Sequence, residues 1–167
     1  MSEGFKVIGN EIFFYCDVTD ESVFKLVTKL HKMKHYSDIT LFIKSDGGDV
    51  YAGLCAMDHI KTHPAYITTV ADGLCASSAT LMLFGGDKRL MMQNSRILIH
   101  QVTSEFSGKF EELKAEKRNM NAMMKQIREI YSSIPEEKLD KYMEKDIFLS
   151  SSTCVKYGIV EGIYGQE

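Results

Sequence analysis

The sequence predicts a single α/β domain with parallel strand pairing and right-handed crossovers. Three observations carry that prediction. Short apolar runs with strand character alternate with segments whose apolar residues recur at helical spacing, the pattern of a parallel sheet wrapped by helices. The chain has 167 residues, a length that suits one domain burying roughly two-thirds of the surface its unfolded form exposes. No low-complexity stretch or linker interrupts it, and only Pro64 and Pro135 break the backbone pattern, so residues 1–167 read as one unit.

The elements follow in order. "EIFFYCDV" reads as the first strand. Thr19 then stands where a helix N-cap belongs, with Asp20 and Glu21 in the favourable first turn. Val23, Leu26, Val27, Leu30 and Met33 give that helix one apolar face. "DITLFIKS", 38–45, is a second strand, and "DGGDV" turns it into a helix carrying Val50, Leu54, Met57 and Ile60. This helix must stop before Pro64. "AYITTVAD" is a third strand, and 77–84 a third helix. "KRLMM" and "SRILIH" supply two more strands. A long helix runs from Phe110 to about Tyr131, with Leu113, Met120, Met124, Ile127 and Tyr131 on one stripe. A short helix around 136–143 and a last strand near 158–164 complete the chain.

Composition excludes several classes of function. With 20 basic and 23 acidic residues the net charge is −3, the wrong sign for a protein that neutralises phosphates, so no nucleic-acid partner is expected. The apolar segments fall far short of the roughly 20 residues a membrane helix needs, and the first residues lack a secretory pattern. A cytoplasmic protein without a membrane partner is expected. Cys16, Cys55, Cys75 and Cys154 form no CxxC pair, so they read as reduced thiols and not as a zinc site. His31 with His35, and His59 with His63, have helix-ligand spacing without the glutamate of a zinc peptidase motif. Both pairs lie near predicted helix C-termini, where an imidazolium suits the dipole, and no metal or cofactor is expected.

In parallel sheets functional turns lie beyond the carboxyl ends of strands. Two turns qualify: "SDGGD", 45–49, and "ADGLCASS", 71–78. A serine at Ser77 could be a nucleophile, with unpaired backbone N–H groups of the following helix start available to an oxyanion. It could equally cap that helix, and the segment alone favours the cap. The glycine pair is either a tight turn or a place of close backbone approach. In the second case the Gly48 N–H becomes an oxyanion donor, beside an open edge at Gly48, Asp49 and Val50 where an extended peptide could add. "ILIHQV" ends an apolar strand in His100, and Asp146 sits between a charged and an apolar stretch. Each has an ordinary structural explanation. As a set they give the order Ser, His, Asp, which differs from the orders of chymotrypsin, subtilisin and the α/β-hydrolases.

The linked blocks "SDGG", "GLCAS", "NSRILIHQ" and "DIFLSSSTCVKYGIVEGI" resemble the proteolytic subunits of the caseinolytic (Clp) proteases, over about residues 10–164. The resemblance implies the Clp protease/crotonase-type fold of repeated strand-strand-helix units with a protruding handle helix, here 110–131. It implies a serine endopeptidase that cuts peptides and unfolded proteins inside an oligomeric chamber through an acyl-enzyme. Ser77 becomes the nucleophile, His100 the base and Asp146 its orienting acid. Backbone N–H groups of Gly48 and Ser78 form the oxyanion hole, and Gly48, Asp49, Val50, Gln101, Val102 and Thr103 hold the substrate as an added strand. Two stacked seven-membered homo-oligomeric rings and a Clp-type AAA+ ATPase partner are also implied. The sequence departs from the family pattern at Cys75, Asp46 and Val102. It also departs in the shortness of the segment before the first strand, where members carry parts that dock the ATPase, so that partner is the weakest expectation. The competing readings are a crotonase-like acyl-CoA enzyme, which needs no such triad, and a silent scaffold subunit, which would usually lack a triad residue.

Overall fold

The computed structural model describes residues 4–103 and 105–166. Two short strands, β1 (Phe5–Ile8) and β2 (Glu11–Phe14), form an antiparallel hairpin, followed by helix α1 (Asp20–Lys32), strand β3 (Asp38–Ser45) and helix α2 (Val50–Lys61). Strand β4 (Tyr66–Ala76), helix α3 (Ser78–Phe84), and strands β5 (Lys88–Met91) and β6 (Arg96–Leu98) come next. The long helix α4 (Phe110–Ile130), helix α5 (Glu136–Lys145), strand β7 (Phe148–Leu149), helix α6 (Ser151–Lys156) and strand β8 (Gly162–Ile163) end the chain. The sheet runs β1-β2-β3-β4-β5-β8, with β6 branching from β4 and carrying β7. From β2 through β5 to β8 neighbouring strands are parallel, as expected for strands joined by helical crossovers.

The pleat sorts the side chains into two layers. Leu41 and Ile43 of β3, Ala71 and Cys75 of β4 and Met91 of β5 join the main core beneath the helices. Phe42, Val70 and Leu90, one residue out of step, form a second cluster with Phe13, Tyr15 and Tyr164 on the other face. This period of two is what parallel strands covered on both faces require. On the second face Phe13 stacks on Phe42 at 4.9 Å between ring centroids, and the Tyr15 hydroxyl donates to the Asp72 carboxylate.

Most expected elements stand where the sequence places them. Thr19 caps α1 in a capping box: Ser22 N–H donates to Thr19 Oγ1 at 3.1 Å and Thr19 N–H to Ser22 Oγ at 2.9 Å. The helix around α2 ends at Lys61, before Pro64. Three expectations need correction. Residues 5–8, ahead of the expected first strand, are themselves a strand, β1. The run 11–18 is not one strand: it leaves the ladder after Phe14 and returns as a single parallel bridge between Val18 and Gly48. The block after Asp146 contains both a strand, β7, and a helix, α6. The four cysteines are free, and no helix among the described residues is long and apolar enough to cross a membrane.

Candidate active site

β4 does the positioning. Its first half pairs with β3 and β5, and its last residues, Leu74 to Ala76, pair with β6. The ladder to β6 continues one step into Ser77, whose N–H donates to Leu98 O at 2.9 Å. The chain then turns sharply. Ser77 has φ 54° and ψ −131°, one of two non-glycine residues with positive φ among those described. An L-residue held there is strained by about 1–3 kcal/mol and persists only where its surroundings over-determine it. Here they do: Ser77 O accepts from Thr80 N–H at 3.0 Å and from Thr80 Oγ1 at 2.6 Å. Ser77 makes no side-chain cap to α3. Its hydroxyl is therefore not spent on the helix, and the capping explanation fails.

The glycine pair explains itself at this point. A Cβ on Gly47 would lie 2.6 Å from Ser77 Cβ and 3.2 Å from Ser77 Oγ, so only glycine allows the turn to press against the serine. Gly47 O accepts from Val18 N–H, and Asp49 N–H donates to Val18 O, both at 2.8 Å. One edge of the 47–49 segment is thus covered by Val18. In an extended segment the intervening residue presents its N–H and C=O to the opposite edge, which leaves those of Gly48 facing away from Val18. Of the expected edge, Gly48 is the residue whose backbone groups face away from Val18. Asp49 is committed to the fold through its N–H and through its carboxylate, which caps α2 by accepting Ala52 N–H at 2.7 Å.

A single pocket is lined by Gly48, Val50, Ser77, Ser78, His100, Gln101, Val102 and Thr103, with an apolar wall of Leu81, Ile127 and Tyr131. Nearly all of the expected site residues therefore meet in one place. Asp49 lines the adjoining cavity beneath α4 with Val50 and Tyr51. Asp146 lines neither. Ser78 is the first residue of α3, so its N–H has no intrahelical partner. Gly48 and Ser78 can thus offer two backbone donors on the side of the pocket that holds Ser77.

His100 Nδ1 lies 2.6 Å from Gln101 O. A carbonyl only accepts, so Nδ1 carries the proton and Nε2 holds the free lone pair. That is the tautomer a general base needs. The acid is placed less directly. β6 and β7 pair antiparallel with Ile97 opposite Leu149 and Leu98 opposite Phe148. Run on by two residues, this register sets Asp146 opposite His100. The ladder stops short of that rung. Asp146 is exposed, takes the left-handed conformation at φ 45° and ψ 52°, and among the described residues its carboxylate has no hydrogen-bond partner. Gln101 N–H donates to Met143 O at 3.3 Å, tying the residue after His100 to the last turn of α5. Residues 101–103 do not form a strand: Val102 N–H points to Met124 Sδ, 3.4 Å away.

Sequence reasoning read Gly47 only as part of a tight turn or close approach and Tyr131 only as an apolar-stripe residue, and it missed Thr80. Tyr131 Oη is 2.5 Å from Thr80 Oγ1, so the end of α4 reaches the serine turn through one side chain. Burial pushes the Tyr131 hydroxyl's pKa well above its usual value. A threonine inside the otherwise apolar run "SATLMLF" is the signal that could have found the link. Of the paired histidines, His63 is held by the fold: its Nε2 meets Leu30 O at 2.9 Å while Nδ1 accepts Ala65 N–H at 3.1 Å. Among the described residues no cluster of three or more His, Cys, Asp or Glu is arranged to hold a metal.

Comparison with known proteins adds a family. The sequence model described as Clp protease matches residues 7–167. The ATP-dependent Clp protease proteolytic subunit of Deinococcus radiodurans is 33% identical over 134 residues, covering 77% of this chain and 66% of that protein. Two chloroplastic proteins of Arabidopsis thaliana, ATP-dependent Clp protease proteolytic subunits 6 and 3, are 31% and 32% identical, with 90% and 88% of this chain covered. The matches span 57% and 49% of their lengths, so the chain covers about half to two thirds of these three relatives.

Proposed function

This chain belongs to the Clp protease family, and from that premise we propose that it is a serine endopeptidase acting on peptides and unfolded chains. The observation that carries the proposal is the strained Ser77, uncapped, in one pocket with a base-competent His100 and the donors of Gly48 and Ser78. A crotonase-like reading has no use for the His100 tautomer, and a silent scaffold has no use for a strained serine.

In the proposed reaction Ser77 Oγ adds to the peptide carbonyl carbon while His100 Nε2 takes its proton. The carbonyl oxygen becomes an oxyanion, held by the N–H groups of Gly48 and Ser78. Collapse breaks the C–N bond, and His100 returns its proton to the leaving amine. Water then repeats the sequence on the acyl-serine, releasing the carboxylic acid and restoring Ser77. Asp146 is the orienting acid, drawn beside His100 when the β6–β7 register extends by two rungs. Gln101 O, which now holds Nδ1–H, keeps the tautomer until then.

Peptide substrates would add along Gly48 and lie against residues 101–103. A homo-oligomer of stacked seven-membered rings would enclose the site, and contacts on α4 and α5 would supply what extends the register. Nothing in the pocket's chemistry calls for a nucleotide, so a Clp-type ATPase would serve to deliver folded substrates. The test is labelling with a fluorophosphonate and mapping the adduct. An adduct on Ser77 that disappears in His100→Ala supports the proposal. No adduct in a fully assembled sample overturns it.

A further inference from the structure

Residues 101–103, against which a substrate would lie, are tied down in the empty site by bonds of unequal strength. Gln101 is held through both of its backbone groups. Its N–H donates to Met143 O at 3.3 Å, and its C=O accepts the His100 Nδ1 proton at 2.6 Å. Val102 is held differently: its N–H is given to the thioether of Met124, 3.4 Å from Sδ. A thioether sulfur is a weak acceptor. Of the bonds that hold this segment, the one at Val102 costs least to exchange.

Helix α4 places the thioether there. Met124, Ile127 and Tyr131 stand at i, i+3 and i+7 and share one face of the helix. Ile127 and Tyr131 form the apolar wall of the Ser77 pocket, which Val102 also lines. Met124, one turn earlier, is half-buried and reaches the Val102 backbone. A half-buried N–H needs a partner while no substrate is bound. In extended backbone, neighbouring residues present their polar groups to opposite edges. With the Gln101 N–H turned toward α5, the Val102 N–H is the donor left for a strand laid on the other edge. The Met124 sulfur stands on that donor, where a peptide carbonyl would otherwise bind.

We propose that Met124 is a positioning residue that sets affinity for extended peptides: its thioether holds the Val102 N–H in the empty site and yields it to a backbone carbonyl of the substrate. The exchange replaces a weak acceptor by a stronger one. It also frees 101–103 from α4 to pair with the peptide as an added strand. The ligand selected in this way is a chain that can extend and offer a main-chain carbonyl at that place. A small acylating or phosphonylating reagent without a peptide backbone does not use the exchange. The inference rests on the peptidase reading.

The experiment measures kcat and KM of the assembled protein for one fluorogenic peptide amide, in the wild type, Met124→Leu and Met124→Gln. Leucine keeps an apolar side chain of similar volume and has no acceptor. Glutamine keeps the unbranched stem and offers a carbonyl, a better acceptor than sulfur. All three residues are good helix formers. KM should fall about three- to fivefold in Met124→Leu and rise about three- to fivefold in Met124→Gln, the worth of one weak hydrogen bond in each direction. Both kcat and the rate of fluorophosphonate labelling of Ser77 should stay within about twofold of the wild type. A packing role alone would move both variants the same way. Ser77-dependent cleavage overturns this inference, and leaves the peptidase reading standing, if the two KM values differ by less than about threefold, stand in the reverse order, or are matched by changes in kcat. No Ser77-dependent cleavage and no adduct in any of the three proteins overturns both.

Discussion

The last rung of the β6–β7 ladder, Leu98 opposite Phe148, lies two residues before His100 on one side and two residues after Asp146 on the other. Two further rungs of the same register would bring them opposite each other. His100 holds its Nδ1 proton on Gln101 O, and a neutral carbonyl stabilises an imidazolium less than a carboxylate does. Asp146→Asn should therefore lower kcat of the assembled enzyme by about 10³- to 10⁴-fold, with KM nearly unchanged. A loss smaller than tenfold would mean that Gln101 O alone suffices and that Asp146 has no part in the reaction.

Gly47→Ala tests the contact that sets the serine turn. Gly47 has φ 101°, and the added methyl would meet Ser77 Cβ at 2.6 Å and Ala76 O at 2.8 Å. The conformation alone costs an L-residue about 1–3 kcal/mol, and relief of the clash must move Ser77. Chemical denaturation should show a loss in that range or above it. Fluorophosphonate labelling of the folded variant should slow by at least tenfold. Normal labelling at reduced stability would show that the turn supports the fold without positioning the nucleophile.

How far the sequence carries the fold is visible at these positions. β3 spans Asp38–Ser45, the bounds its composition suggests, because strongly apolar residues on both faces leave no other conformation. Thr19 is legible as a cap for a similar reason: its role is local. β1 escapes notice because its four residues are a strand only by pairing with β2, although "Gly-Asn" between two apolar runs is a hairpin turn signal. The two-residue β7 exists only as a partner of β6. That Ser77, His100 and the glycine turn would meet was legible in the linked motifs, and they share one pocket, whereas Ser77's positive φ and the Thr80–Tyr131 link depend on tertiary contacts that no local pattern encodes.

That link gives a graded pair of substitutions. Tyr131→Phe removes a hydroxyl but leaves Thr80 Oγ1 its bond to Ser77 O. The loss should be about 1 kcal/mol, with the serine turn intact. Thr80→Val removes the bond to Ser77 O and strands the Tyr131 hydroxyl in a buried site, which should cost about 2–3 kcal/mol and also slow acylation of Ser77. Equal effects of the two on stability and labelling would separate Thr80 from the turn.

Alkaline pH should unfold the protein through its buried acids. Burial pushes the Cys154 thiol from 9.0 up to about 12. Burial, with the neighbouring Cys154 second, raises Cys75, and burial raises Tyr131 despite the opposing Thr80 bond. Each folded pKa lies above its unfolded value, so the native state keeps protons that the unfolded chain releases from about pH 9 upward. Stability from these groups is complete below that pH and is lost as pH rises through the folded values, by about 1.4 kcal/mol per pH unit for each group. Tm should thus be insensitive to them at pH 7–8 and fall steeply between pH 9 and 11, with a shallower fall in Cys154→Ala. The same burial makes a second measurement available. Iodoacetamide at pH 8 should modify the exposed Cys55 first and the half-buried Cys16 slowly, since burial and Asp17 raise its pKa. Cys75 and Cys154 should react only after denaturation. Rapid modification of Cys75 in the folded protein would place a reachable thiol two residues from Ser77 and would contradict the closed core that holds the end of β4.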